Sequence, residues 1–136
     1  MTTPRLNVIP CGVALIRRGR EFLISQRRDD DTFGGYWEFP GGKRDAGETL
    51  AQCVVREVRE ELDIEIAAGR KLFDIQKKYR DRVVWLNFFL CSYLSGEPKP
   101  LASQRVQWVD VLKLDKFKFP PANKIVIKKL QRMLFS

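Results

Sequence analysis

The 136-residue sequence contains no histidine, and that absence removes a set of reaction types at once. A Ser-His-Asp or Cys-His relay, an imidazole general base and a histidine-ligated metal are excluded. Carboxylates, lysines or a metal-activated water are left to move protons. Cysteine is sparse: Cys11, Cys53 and Cys91 are odd in number, sit among apolar neighbours and show no CxxC spacing. Neither a disulfide framework nor a zinc cage is expected, and all three read as core thiols. No apolar run reaches the roughly 18 residues that a bilayer-spanning helix requires. The run Val8 to Ile16 follows a polar start and leads into Arg17 and Arg18, so it reads as a strand rather than a signal peptide, and the expected location is the cytoplasm. No repeat, low-complexity tract or Ser/Gly-rich linker divides the chain, and residues 1–136 read as a single domain.

What is present fits an ordinary globular protein, with 44% hydrophobic and 31% charged residues. Lys and Arg number 25 against 17 Asp and Glu, a formal charge of +8. That balance favours an anionic partner such as a nucleotide, RNA or a phosphorylated metabolite, although solvated lysines account for the same excess.

Branched residues and polar boundaries predict a strand pair at Val8 to Ile16 and Glu21 to Gln26, turning at Gly19 as a hairpin. Arg27 to Tyr36 reads as a polar loop whose aspartates are solvated and without an assigned role, and "WEF" as a short strand before Pro40 and the Gly41-Gly42 pair. A helix is predicted from Leu50 to Leu62, because Leu50, Val54, Val58 and Leu62 recur every four residues, with Thr49 and Gln52 forming a capping box. Lys71 to Tyr79 and Val83 to Tyr93 follow as strands around a turn at Arg80 to Arg82, the second apolar enough to be central. "SGEPKP" reads as a loop, Val106 to Val109 as a short strand, and Ala122 to Leu134 as a second helix entered through Pro120 and Pro121. The expected fold class is a mixed α/β (α+β) arrangement.

The first helix carries the feature that calls for explanation. At roughly 100° per residue, Glu57, Glu60 and Glu61 fall on one side, at the margin of the apolar face. Like charges at these spacings repel by a few tenths of a kcal/mol per pair, and acids in a last turn oppose the helix dipole. A solvated acidic face is the plainer reading of such a helix. Against it stands the preceding loop, where glycines 41, 42 and 47 allow close backbone approach and Glu48 adds a fourth acid. A hard divalent cation with oxygen ligands would offset this charge far better than Arg56 and Arg59 alone. The same loop narrowly misses a phosphate-cradling P-loop, since Glu48 and Thr49 follow Gly47 where Lys and Ser/Thr are required. A glutamate there repels phosphate, so a metal must mediate any phosphate binding.

Gly42, five residues, Glu48, seven residues, then Arg56-Glu57-Val58-Arg59-Glu60-Glu61-Leu62-Asp63-Ile64 resembles the signature of the Nudix hydrolases. The one departure is Asp63, where that family usually has glycine; Asp tolerates the left-handed conformation a helix exit needs. "EFPGG" and "FPPAN" (119–123) resemble the MutT branch, which hydrolyses nucleoside triphosphates and includes enzymes that remove oxidised guanine nucleotides. The resemblance implies a mixed sheet sandwiched between helices. It implies that Glu57, Glu60 and Glu61, with the Gly41 carbonyl, bind Mg²⁺ or Mn²⁺ while Arg56 orients the acids, and that these four side chains form the catalytic set. It implies further that Arg27, Phe39, Tyr79 and Asn123 contact the nucleotide, Asn123 pairing with the base edge.

Plainer readings exist for each of the last four: Asn123 as a helix N-cap, Phe39 and Tyr79 as core aromatics, Arg27 as a strand-end charge. Relatives of this branch often supply another carboxylate shortly before the tryptophan matched by Trp108. Here the stretch reads "PLASQRVQW" without an acid, and Gln104 is no anionic base, leaving Glu57 or Glu60 to serve. The leading expectation is a metal-dependent pyrophosphohydrolase releasing a nucleoside monophosphate and pyrophosphate, with guanine, oxidised guanine and cytosine open. Alternatives are removal of pyrophosphate from RNA 5′ ends, prompted by the charge and by Lys124, Lys128 and Lys129, a nucleotide-binding module with lost catalysis, or a sugar-nucleotide substrate. Neither a stable nucleic-acid complex nor a membrane partner is expected, and oligomeric state is not legible.

Overall fold

The computed structural model describes residues 7–135; residues 1–6 and 136 of the expected single domain lie outside that range. Seven strands form one branched sheet, with the order β3-β2-β1-β6-β5, β4 on β1 and β7 on β2. In chain order they are β1 (Asn7–Arg18), β2 (Glu21–Gln26), β3 (Trp37–Glu38), β4 (Gly41–Lys43), β5 (Glu65–Lys78), β6 (Arg82–Ser95) and β7 (Arg105–Asp110). Helix α1 (Leu50–Leu62) separates β4 from β5, and α2 (Pro121–Phe135) ends the described chain after a 3₁₀ turn at Val111–Lys116.

The expected hairpin exists only at its turn, where Arg17 and Arg18 pair with Phe22 and Glu21. Beyond it β1 runs parallel to β6 from Asn7–Arg82 to Arg17–Ser92, while β2 is taken by β7 and β3. The apolar run in β6 lies between β1 and β5, as its composition predicts. Alternation along β1 splits the core: Ala14 and Ile16 join Val54, Val58 and Leu62 of α1, whereas Leu15 joins Val126, Ile127 and Leu130 of α2. One helix thus covers each face of the sheet. Each fully buried Val or Leu contributes about 1.5–3 kcal/mol of transfer free energy, so both helices are held by packing. Among the described residues no helix is long and apolar enough to cross a membrane.

Helix α1 has the predicted bounds, and Thr49 and Gln52 exchange both hydrogen bonds of the capping box. At its exit Asp63 is left-handed (φ 56°, ψ 39°), with its N–H on the Arg59 carbonyl. The chain after β6 returns to this end: the Lys99 and Leu101 N–H groups donate to the Leu62 and Glu61 carbonyls, and Lys99 pairs with Asp63 at 3.0 Å. Helix-end carbonyls that would lack partners are satisfied there.

Candidate active site

Gly41 and Gly42 do not belong to a loop. They form β4, which pairs with β1 through Gly41–Val13 and Gly42–Gly12. A side chain would meet backbone at the first and a movable carboxylate at the second. A Cβ on Gly41 would strike the Gly12 carbonyl oxygen, and one on Gly42 would lie 2.5 Å from the Glu57 carboxyl carbon. The last turns of α1 therefore press their acids against this strand.

The acids do not share one environment. Glu61 accepts a hydrogen bond from the Gly41 N–H at 3.1 Å. Burial, reinforced by the Glu57 and Glu38 carboxylates, pushes its carboxyl up to about 8. Burial also raises Glu57, whose side chain is 17% exposed and touches Arg56 at 3.0 Å. Glu60 is 59% exposed and reaches Arg56 at 3.2 Å. Arg56 is the hub: besides these two it grips Glu48 through Nε and Nη2 at 3.0 and 2.6 Å, approaches Asp45 at 3.3 Å and donates to the Lys43 carbonyl. That fork, with the Asp45 N–H, holds the Glu48 carboxyl down at about 2. Bidentate guanidinium–carboxylate geometry fixes orientation as well as charge.

Among the described residues no three acidic or thiol side chains converge into a preformed metal cage, because Arg56 takes Glu57 and Glu60 while the Gly41 N–H takes Glu61. The donor chemistry nevertheless fits a hard divalent ion. Two half-buried carboxylates repel each other across Gly41-Gly42, and Mg²⁺ needs few protein oxygens when waters and phosphates complete its shell.

On the α2 side of the sheet lies a cavity of about 300 Å³, and Arg27, Phe39, Gly41, Gly42, Tyr79 and Asn123 all line it. Phe39 is 5% exposed and stacks on Phe119 with ring centroids 5.4 Å apart, so it is a core aromatic that also forms cavity wall. Tyr79 is 45% exposed, with the Arg82 guanidinium 4.6 Å from its ring centre; the core reading fails for it. Arg27 is no free strand-end charge: it donates to the Thr32 carbonyl and pairs with Glu38 at 2.8 Å and Asp31 at 3.0 Å. Asn123 is the third residue of α2, not its N-cap, because the helix starts at Pro121, three residues earlier than that reading needs.

Several expectations are corrected here. Asp31 and Asp29 are exposed but engaged, Asp31 with Arg27 and the Thr32 N–H, Asp29 accepting from Gln104 Nε2 at 2.9 Å. The Gln104 amide also donates to the Arg27 carbonyl at 2.7 Å, so it braces the 27–35 loop and does not face the acids. Cys53 and Cys91 are buried, with burial pushing the Cys91 thiol up to about 12. Cys11 is only half-buried and lines the cavity. Sequence reasoning missed Phe33, Glu38 and Lys77 on the cavity wall; a lysine alternating with Phe73, Ile75 and Tyr79 was the available signal for the last.

Known proteins resemble this chain in sequence and fold. A family model described as NUDIX domain matches residues 12–129. The 8-oxo-dGTP diphosphatase of Escherichia coli K12 is 37% identical over 129 residues, covering 94% of this chain and all of the relative (100%). The CTP pyrophosphohydrolase of the same strain is 29% identical over 118 residues, 87% of each chain. The crystal structure of a MutT protein from Methanosarcina mazei Go1 superposes with a TM-score of 0.84 at 26% identity, covering 98% of this chain and 100% of that one. With the signature acids gathered on α1 and the match running almost end to end, this chain belongs to the NUDIX domain family.

Proposed function

We propose that the protein is a divalent-metal-dependent nucleoside triphosphate pyrophosphohydrolase, with oxidised guanine nucleotides such as 8-oxo-dGTP as its leading substrates. The observation that carries this reading is one juxtaposition: Glu57 and Glu61 meet the Gly41-Gly42 strand, and that strand lines the cavity holding Arg27, Phe39, Tyr79 and Asn123. Phosphates are thereby aimed at the acids and the base at the far wall. The relatives named for 8-oxo-dGTP and CTP support a nucleotide substrate. The same reading takes residues 1–136 as one domain working in the cytoplasm.

Glu57, Glu60 and Glu61, with the Gly41 carbonyl, would hold Mg²⁺ or Mn²⁺. When bound, the ion supplies charge that neutralises the diphosphate oxygens and activates water for attack. The chain's own groups do the rest. Arg56 fixes the acids, and the 27–35 loop, braced by Gln104, holds Arg27 on the cavity wall. Water adds to phosphorus, the anhydride bond to the leaving pyrophosphate breaks, and a nucleoside monophosphate remains. Glu57 suits the proton transfer: one of its oxygens is engaged by Arg56, the other accepts no hydrogen bond among the described residues, and burial raises its proton affinity. The exposed Glu60 lacks that environment.

The lysines behind the RNA reading, Lys124, Lys128 and Lys129, do not line the cavity, so free nucleotides are favoured over RNA ends. The test is a turnover panel with Mg²⁺ containing the common nucleoside triphosphates, 8-oxo-dGTP and a 5′-triphosphate RNA, scored for pyrophosphate against single phosphate. Pyrophosphate release from one nucleotide in clear preference is expected. Binding without turnover of any member would leave a nucleotide-binding module instead.

A further inference from the structure

The cavity wall contains a cation that the catalytic reading does not use. On β5, Lys77 pairs with Val84, Ile75 with Leu86 and Phe73 with Phe88. The ladder continues into β1, where Leu86 meets Cys11 and Phe88 meets Val13. Alternation places these side chains on one face of the sheet, the face that carries the cavity, and Lys77 is the lysine among its lining residues. It is half-buried.

Four other lysines have partners, and Lys77 is the one that lines the cavity. Lys99 pairs with Asp63, and Lys71, Lys118 and Lys129 lie over aromatic rings. Lys77 has no ion pair, hydrogen bond or ring contact among the described residues. Glu38, the carboxylate that lines the cavity with it, is engaged by Arg27 at 2.8 Å. Arg27 in turn spends Nε, Nη1 and Nη2 on Thr32, Glu38 and Asp31. Besides the Tyr79 hydroxyl and the two N–H groups Arg27 retains, the donors open to a ligand are Lys77 Nζ and the Asn123 amide. A ligand that fills the cavity would cover this ammonium, and covering it costs free energy unless the ligand brings an acceptor.

Position decides which acceptor. Gly41, Val13, Phe88 and Phe73 form one cross-strand row. Lys77 stands four residues further along β5 than Phe73, roughly 13 Å at the usual rise of a strand. The phosphate chain belongs at the Gly41 end, so Lys77 stands at the base end. Resting on the nucleotide reading above, we propose that Lys77 donates a hydrogen bond to an exocyclic carbonyl oxygen of the base, making the pocket selective for keto bases over adenine. Guanine, its 8-oxo form and cytosine offer such an oxygen. Adenine has no carbonyl to offer and presents an amino group where guanine has one, setting donor against donor.

The test compares Lys77→Met, which keeps the stem and removes the charge, with Lys77→Arg. We expect Lys77→Met to lower the ratio of kcat/KM for 8-oxo-dGTP over dATP about tenfold through KM, with kcat held and the melting temperature unchanged; Lys77→Arg keeps most of the ratio. A second readout needs no turnover: calorimetric binding of dGMP and dAMP in EDTA, where only dGMP weakens in Lys77→Met. An unchanged ratio overturns the assignment. An equal loss for every nucleotide also overturns it, since that marks a phosphate contact. Wild-type protein that turns over and binds no nucleotide overturns the nucleotide reading itself, an outcome separate from normal wild-type turnover with an indifferent Lys77.

Discussion

The two faces of the sheet are finished differently. On the α1 side the polar groups are tied to one another: Arg56 touches four carboxylates, and Glu61 is bound to a backbone N–H. On the α2 side Lys77 and the Asn123 side chain border the cavity without partners among the described residues, amid Phe39, Leu86 and Phe88. Charge is prearranged where chemistry would occur, since electrostatic stabilisation works best when no reorganisation is needed at the moment of reaction. Hydrogen-bonding capacity is left open where recognition would occur, because an unpaired group discriminates between ligands that can and cannot satisfy it.

Breaking the tied face should have the largest effect. Glu61→Gln keeps shape and removes one charge. We expect turnover to fall by more than the roughly 10–100-fold seen when mere outer-shell partners of metal ligands are lost, with the circular dichroism spectrum unchanged. Full activity in that variant would remove Glu61 from the metal site. Next comes Gly42→Ala, whose new methyl group would displace the Glu57 carboxylate. Its expected loss is roughly 10–100-fold in kcat with folding retained. A wild-type rate would mean that Glu57 does its work from another rotamer.

The pH dependence sharpens the comparison without mutation. The Glu61 carboxyl, at about 8 in the folded chain against 4.5 ordinarily, stabilises the metal-free fold fully below pH 4.5 and loses that contribution as pH rises through 8. Melting in EDTA should therefore fall between about pH 4.5 and 8 and level off above, while apparent Mg²⁺ affinity climbs by up to about tenfold per unit toward pH 8. Glu48, held at about 2, acts only on the acid side of that range. A flat profile would argue that Glu61 ionises normally. The smallest effect falls on the open face. Asn123→Ala should reduce discrimination among bases about fivefold and leave stability nearly unchanged, because Asn123 does not cap α2. A loss of stability with base preference intact would return it to a structural role.

Helix α1 was legible to the residue because apolar periodicity and cap chemistry agree at both ends. Strand β4 was not, since a Gly-Gly-Lys segment has no strand propensity and is held there by its pairing with β1. The start of β5 was missed for a related reason: Ala67, Ala68 and Gly69 are poor strand formers, and the ladder is irregular between Ala68 and Lys71. The acids of the site could be found from spacing because a helix brings residues three and four apart together. Glu38 and Lys77 could not be joined that way, since they meet one cavity from strands on opposite sides of the β1–β6 pair. The 27–35 loop hid its order as well, because its aspartates look solvated until Arg27 and Gln104 are seen to hold them.

The parallel ladder of β1 and β6 joins segments more than half the chain apart, from Asn7 with Arg82 to Arg17 with Ser92. Such closure carries a large loop entropy before any contact rewards it, whereas α1 and the β5–β6 hairpin assemble locally. The cavity floor is built from both partners of that ladder, so the pocket does not exist before the ladder closes. Refolding followed by nucleotide binding should then track the slowest phase, and a chain stalled with its helix and hairpin formed would carry every recognition residue and recognise nothing.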